Sequence, residues 1–357
     1  MISIIQVFKL ALEKGASDIH LTANSPPVLR VNGEMIKVNA PPLKPTQVKE
    51  LCYSLISNEQ KAIFENKRCL DFSFFVKGMT RFRGALMFQK ASVAGVFRVL
   101  SNTIPKLSEL GLPEVIHEVI NYPFGLVLVT GPTGSGKTTT LASCIDAINE
   151  DRRGHILTIE DPIEIMYQHK KSIVNQREVG LDCVSFADGL KNAMRADPDI
   201  CLVGEIRDRE TAEAVLKLAE TGHLVFSTLH TNTAAKSIDR ILGLFGEGDQ
   251  GLVRDQLSTI LQAIVSQRLA ISLKGGRVAM TEIMFANPAI RNLIREGKIY
   301  QIYNVIQTNQ ERGMRTMNHS LAEAVKNGDI SLKTAYSIAP ERDELYKLLN
   351  RKTRSVA

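Results

Sequence analysis

Leu126-Val127-Leu128-Val129-Thr130-Gly131-Pro132-Thr133-Gly134-Ser135-Gly136-Lys137-Thr138 decides the fold. An apolar run ends in Gly131 to Thr138, which fits the P-loop pattern G-x-x-x-x-G-K-[ST]. A helical pattern follows, with Leu141, Cys144, Ile145 and Ile148 recurring on one face. Strand, glycine-rich turn and helix in that order are the context a phosphate loop requires. Gly131, Gly134 and Gly136 let successive backbone N–H groups turn inward where a side chain would obstruct them, and the loop opens onto a helix N-terminus that favours anions. The nucleotide-binding set is therefore Gly131, Pro132, Thr133, Gly134, Ser135, Gly136, Lys137, Thr138 and Thr139. Lys137 is the candidate for the β and γ phosphates of ATP, and the Thr138 hydroxyl for Mg2+.

Outward from this stretch, a length of 357 residues suggests two or three domains with ample core. Apolar content of 44% with 23% charged residues is ordinary for a soluble chain, and no apolar run approaches the roughly 18 residues of a spanning helix. Met1 to Leu12 reads as an amphipathic first helix rather than a signal peptide, because Lys9 interrupts it and no basic leader or small-residue cleavage site accompanies it. Cys52, Cys69, Cys144, Cys183 and Cys201 are scattered with no C-x-x-C pair, which favours reduced, mostly buried thiols and argues against zinc. A net charge of +6 without a dense basic block does not point to nucleic acid.

The organisation reads as four regions. Residues 1–100 form a small α+β domain: a first helix ending at Gly15, a strand from Ser17, and two extended runs about Asn32-Gly33. A helix over about Thr46 to Asn58 precedes strands at Leu70–Val76, Thr80–Gln89 and Ala94–Val99. Residues 101–113, with Pro105, Gly111 and Pro113, form a linker and hinge. Residues 114–285 alternate strand and helix as a parallel sheet covered on both faces, and Val253 to Val265 reads as one long amphipathic helix feeding a hairpin at Gly275-Gly276. Residues 286–357 read as short helices ending in a frayed tail from Lys352.

ATP hydrolysis needs a metal and a group that orients water, and these belong at the ends of strands beside the P-loop strand. Glu205 ends the apolar run from Asp199 to Val203 as a Walker B segment does, with Gly204 where an aspartate is usual. It serves metal, water or both. Glu160, Asp161 and Glu164 follow Ile156 to Ile159, and either glutamate can polarise water. His223 and His230 flank the next strand, His230 where a γ-phosphate sensor is expected.

Two stretches resemble boxes of the secretion and pilus ATPases: Thr221 to Thr231 their His box, Thr158 to Glu164 their Asp box. Gly15-Ala16-Ser17-Asp18-Ile19-His20-Leu21 and Ala289-Ile290-Arg291-Asn292-Leu293-Ile294-Arg295-Glu296 narrow the resemblance to the type IV pilus retraction, or twitching-motility, ATPases (PilT family). The second is similar to that family's C-terminal retraction motif. In physical terms it is a helix with Asn287 as N-cap, Pro288 at N1 and Gly297 after its end.

That resemblance implies an α/β fold with a RecA-like ATPase domain, a PAS-like N-terminal domain and a C-terminal helical region. It implies a cytoplasmic homo-hexamer, peripheral to the inner membrane, that hydrolyses ATP and acts on the membrane platform protein of a pilus machine. Arg81, Arg83 and Arg98 resemble the arginines that reach nucleotide when such a site closes, with Arg207 and Arg209 as further candidates. The same superfamily contains pilus extension and secretion ATPases, which commonly carry a further N-terminal domain. A nucleic-acid translocase is the reading from another class, and the sparse basic patches count against it.

Overall fold

Ser3 opens the first helix of the computed structural model, which describes residues 3–31, 33–100 and 103–350. Its hydroxyl accepts the Gln6 N–H while the Gln6 side chain accepts the Ser3 N–H, a reciprocal cap that satisfies two otherwise unpaired amides. Helix α1 (Ile4–Glu13) then buries Ile4, Val7, Phe8 and Ala11 on one face. The described residues divide into two units, Met1–Thr103 with Pro162–Met166, and Ile104–Asp161 with Tyr167–Ala357.

The first unit is an antiparallel sheet of β1 (Asp18–Leu21), β2 (Val28–Val31), β3 (Glu34–Lys37), β4 (Cys69–Phe75), β5 (Arg81–Gln89) and β6 (Ser92–Val99), in the order β3-β2-β1-β6-β5-β4. Phe8 stacks on Phe82 at 4.4 Å between centroids and meets the edge of Phe97, so α1 closes the sheet's apolar face. Gly33 follows β2 with φ +90°, while Asn32 of the expected turn lies outside the described residues. The helix expected over Thr46 to Asn58 is two helices, α2 (Pro45–Tyr53) and α3 (Asn58–Lys67). Ser57 restarts the chain with its own capping box on Gln60, and that local chemistry outweighs the continuous polar pattern.

The second unit is built on β7 (Gly125–Thr130), β8 (His155–Glu160), β9 (Ile173–Glu178), β10 (Ile200–Val203), β11 (Leu224–Leu229), β12 (Leu261–Ile271) and β13 (Arg277–Phe285). The strand order is β13-β12-β7-β11-β10-β8-β9, parallel throughout except for β13. Every residue of β7, β10 and β11 is buried, which is why these strands read as unbroken apolar runs. Helices α4 (Lys137–Asp151), α5 (Phe186–Ala193), α6 (Arg209–Glu220), α7 (Ala234–Leu242) and α8 (Gln250–Ile260) connect them.

The long helix expected through Val265 is a correction. α8 ends at Ile260, and Leu261, Ile264 and Val265 belong to β12, paired parallel with β7. A short apolar run carries no period that separates buried strand from buried helix, and only the partner strand decides it. After the hairpin, whose Gly275 and Gly276 both have positive φ, come α9 (Pro288–Arg295), α10 (Ile302–Thr308), α11 (Met317–Lys326), α12 (Leu332–Ile338) and α13 (Arg342–Asn350). Leu321, Ile330, Ala335 and Leu345 from this region share a core with Ala270 and Met280 of the hairpin. The tail expected from Lys352 lies outside the described residues. Among the described residues no helix is long and apolar enough to cross a membrane. All five cysteines are free, and burial pushes the Cys52, Cys144 and Cys201 thiols up to about 12, so they stay protonated.

Candidate active site

β7 hands its chain to the loop at Gly131, where φ is +146°. A Cβ there would lie 2.3 Å from the Gln267 carbonyl oxygen, so only glycine lets the loop rest on β12. Gly134 and Gly136 take φ +77° and +90°. α4 starts at Lys137 with Gly136 as N-cap, a residue with no side chain to accept from the first turn, where amides favour an anion. The Ser135 hydroxyl is buried without a hydrogen-bond partner beneath the loop. Lys137 is buried, and its ammonium donates to the carbonyls of Gly131 at 2.8 Å and Pro132 at 3.1 Å, which holds it over the loop. Pro132, Thr133, Gly134 and Thr138 are exposed and Thr139 is half-buried.

The support beneath this loop was not legible in its own motif. Thr140 donates to the Gln267 side chain at 2.9 Å, and Thr130 shares a hydrogen bond with Ser266 at 2.8 Å, both across to β12. These partners are more than a hundred residues away in sequence, so no local pattern announces them.

Parallel pairing puts the carboxyl ends of β8, β10 and β11 beside the loop. Thr130 is level with Leu229, and Val203 with both Ser227 and Ile159. Glu160 ends β8, buried, accepting from Thr158 Oγ1 at 2.7 Å and Gln176 Nε2 at 3.2 Å. Glu205 follows β10, and its carboxylate is bracketed: Arg207 Nη2 lies 2.5 Å from one oxygen and His230 Nε2 3.6 Å from the other. The second Arg207 nitrogen is 3.8 Å from Asp161. Glu205, His230, Asp161 and Arg207 thus form one cluster at the strand ends. Arg209 faces away from it, pairing with Glu213 at 2.7 Å and Asp249 at 2.9 Å.

His223 stands at the other end of β11, about 20 Å away over six strand residues, where its ring meets the Leu218 carbonyl at 3.0 Å and Thr221 Oγ1 at 3.1 Å. This chain does not bring it to its own phosphate loop. A cavity of about 510 Å³ runs along β8 and β9, lined by His155, His169 and Arg177 among others, but by none of the candidate residues.

Arg81, Arg83, Arg98 and Glu164 belong to the first unit. Arg83 lies level with Arg98, and Arg98 with Asp18, on adjacent strands, giving a row of charge across the sheet. Arg98 Nε donates to Asp18 at 3.0 Å and Arg83 approaches Glu164 at 3.7 Å. Arg81 donates to Ser73 Oγ. Burial works against the Asp18 carboxylate, but hydrogen bonds from Ser17 and Arg98 outweigh it and hold the group below its usual range. Like charges level on adjacent strands repel, and Asp18 beside Arg98 with Glu164 near Arg83 offsets that repulsion.

The motif helix α9 has Asn287 accepting the Ile290 N–H at 2.9 Å, with Ile290 and Ile294 buried. Its Arg291 reaches out of the helix to the last carbonyls of α8, 2.7 Å from Ser258 and 2.6 Å from Thr259.

Residues 1–275 match the family model described as type II/IV secretion system protein. The chain is 48% identical to the type IV pilus retraction ATPase PilT of Pseudomonas aeruginosa, over 93% of this chain and 96% of that protein. It is 48% identical to the twitching motility protein of Neisseria gonorrhoeae, over 87% of this chain and 83% of that one. The crystal structure of the pilus retraction motor PilT with bound ADP superposes with a TM-score of 0.92 at 49% identity, covering 97% of this chain and all of that one.

Proposed function

The chain belongs to the type II/IV secretion system protein family and is an ATP hydrolase, and from that premise we propose that it is the motor that withdraws type IV pili. The observation that carries this reading is 48% identity to retraction proteins over 93% and 87% of the chain, with a TM-score of 0.92 to a pilus retraction motor. In this reading the chain works as a homo-hexamer on the cytoplasmic face of the membrane, pushing on a membrane platform protein. Residues 1–100 and 114–285 turn about 101–113 as ATP is bound and spent, and residues 286–357 pass on the stroke.

The loop fits a nucleotide phosphate: a glycine cradle that a Cβ would fill, a buried serine hydroxyl in want of a partner, and a helix N-terminus whose N-cap has no side chain. Thr138 and Glu205 are the residues that would hold Mg2+, which when bound neutralises charge on the phosphate oxygens. Lys137 turns its ammonium from the loop carbonyls to the phosphates. Glu205 orients the attacking water and takes its proton. Glu160 keeps one oxygen in the sheet through Thr158 and Gln176 and presents a fixed negative wall to that water. His230, beside Glu205, reports the γ-phosphate. Asp161 completes the nucleotide set. His223 lies at the other end of β11 from this cluster, and the catalytic assignment of Glu164 and His223 rests on the boxes they occupy. Arg81, Arg83 and Arg98 serve a neighbouring subunit's nucleotide, and the placing of Arg83 level with Arg98 on adjacent strands supports this, since it gathers cationic charge that a polyphosphate attracts.

The test is a chromosomal Lys137→Ala allele, with surface pili counted and twitching scored. Abundant pili on non-motile cells are the expected result. Bald cells would mean a motor of extension, and unchanged pili with normal motility would sink the pilus reading altogether.

A further inference from the structure

The cluster at the strand ends contains a cation that the P-loop chemistry does not call for. Arg207 spans two carboxylates from different strands, with Nη2 2.5 Å from Glu205 and Nη1 3.8 Å from Asp161. Its backbone is held on both sides. The Ile206 N–H donates to the Thr228 carbonyl at 3.1 Å and its side chain is buried, while the Asp208 carboxylate caps α6 through the Thr211 N–H at 2.8 Å. The Gly204 N–H bonds to the Ile159 carbonyl at 2.8 Å, and its own carbonyl accepts from Thr228 Oγ1 at 2.7 Å. Residues 204–208 are thus pinned, and the guanidinium projects from a fixed base.

We propose that Arg207 is the positioning residue of the hydrolytic centre: one guanidinium ties the carboxylates that close β8 and β10 and sets the orientation from which Glu205 acts. The inference rests on Glu205 being the group that orients water.

The physical case has three parts. A glutamate has three side-chain torsions, and a carboxylate next to other acids and a polyphosphate is driven to rotate away from them. A planar, always charged donor fork fixes it in one geometry and offsets the repulsion. The His230 ring borders the other oxygen at 3.6 Å, beyond hydrogen-bond length, so the Arg207 fork alone fixes the carboxylate. A guanidinium stays protonated at any working pH, so the fork stays charged. A lysine would not do the same, because a point charge reaches one carboxylate and not both.

The Arg207 side chain is 61% exposed, so its truncation leaves no cavity and tests chemistry rather than folding. The measurement is steady-state ATP hydrolysis by the full-length chain for the parent, Arg207→Ala, Arg207→Lys, Glu205→Gln and the double variant, with thermal melts to verify folding. Arg207→Ala is expected to lower kcat by at least about tenfold with KM for ATP within roughly threefold. Arg207→Lys falls between that and the parent. In the Glu205→Gln background, removing Arg207 costs less than about twofold more, because a residue acting through another adds nothing once that other is gone. Three results would each overturn the proposal: Arg207→Ala within about twofold of the parent, a loss carried by KM, or losses that multiply in the double variant. A Glu205→Gln variant as fast as the parent would remove the premise instead, and that outcome is read from a separate protein.

Discussion

The Arg291 guanidinium donates to the Gln262 side-chain oxygen at 3.1 Å, and the amide of that glutamine reaches the Phe124 carbonyl at 3.0 Å, on the residue before the P-loop strand. Gly125 makes room for this link, since a Cβ there would lie 2.7 Å from Gln262 Cγ. The same guanidinium caps α8, where unpaired carbonyls attract a cation. Arg291→Ala is therefore expected to destabilise the fold by about 1–3 kcal/mol, the worth of charge-assisted hydrogen bonds to partly buried carbonyls. ATP hydrolysis stays within roughly threefold of the parent, because no contact to the phosphate loop is lost. Urea unfolding and a phosphate-release assay on one preparation check both halves. A large loss of kcat at unchanged stability would show that the arginine acts on the nucleotide.

Lys137 and Glu205 separate binding from chemistry. Lys137→Ala removes the ammonium that faces the phosphates and should abolish tight nucleotide binding, with affinity lower by about 100-fold, as read by a fluorescent ATP analogue. Glu205→Gln keeps size and hydrogen bonding but cannot take a proton, so binding stays within a few-fold while turnover falls by at least about 100-fold. Equal losses of binding in both variants would contradict the division of roles.

Where the sequence was legible, it was so because local chemistry decided the outcome. The strand, loop and first helix of the nucleotide site follow from Leu126 to Ile148, and the cap of α9 from Asn287-Pro288. Glu160, Glu205 and His230 read as neighbours at strand ends because a parallel sheet must align those ends. What was missed depends on partners distant in the chain. β12 looks helical until β7 is placed beside it, Gln267 has no signal pointing to Thr140, and Arg207 reads as a further candidate for the nucleotide with nothing in the sequence to tie it to Asp161. His223 and His230 flank β11 as the sequence has it, and the box that groups them joins residues that the strand keeps apart.

Glu282 of β13 predicts a pH dependence. It is buried, accepts the Ala234 N–H at 2.8 Å at the start of α7, and also takes a backbone hydrogen bond from Met317 at the start of α11. Desolvation outweighs both bonds, and the nearby Glu344 charge adds to it, so the carboxyl is raised from the ordinary 4.5 to about 7. With the folded value above the unfolded one, the native state binds the extra proton. The stability this gives is complete below about pH 4.5 and is lost as pH rises through about 7. Glu282→Gln has no such titration. The stability of the variant relative to the parent therefore climbs between pH 5 and 8, by up to about 3 kcal/mol, in paired urea melts. A difference that is flat with pH would show the carboxyl to be ionised throughout.

Gly131 and Gly134 both have positive φ, yet alanine should affect them unequally. At Gly134 nothing lies within 4 Å of a new Cβ, so Gly134→Ala pays backbone strain alone, about 1 kcal/mol. At Gly131 the Cβ would sit 2.3 Å from a backbone carbonyl of β12, which no rotamer change relieves. Either the loop lifts from β12 or β12 shifts against β7. The expected cost is roughly 2–4 kcal/mol of stability. Lifting the loop also turns its amides away from the position a phosphate takes, so nucleotide affinity falls with stability in Gly131→Ala, whereas Gly134→Ala keeps much of its binding. Urea melts and nucleotide titrations of the two variants make the comparison, and equal behaviour would show that the contact with Gln267 does not hold the loop in place.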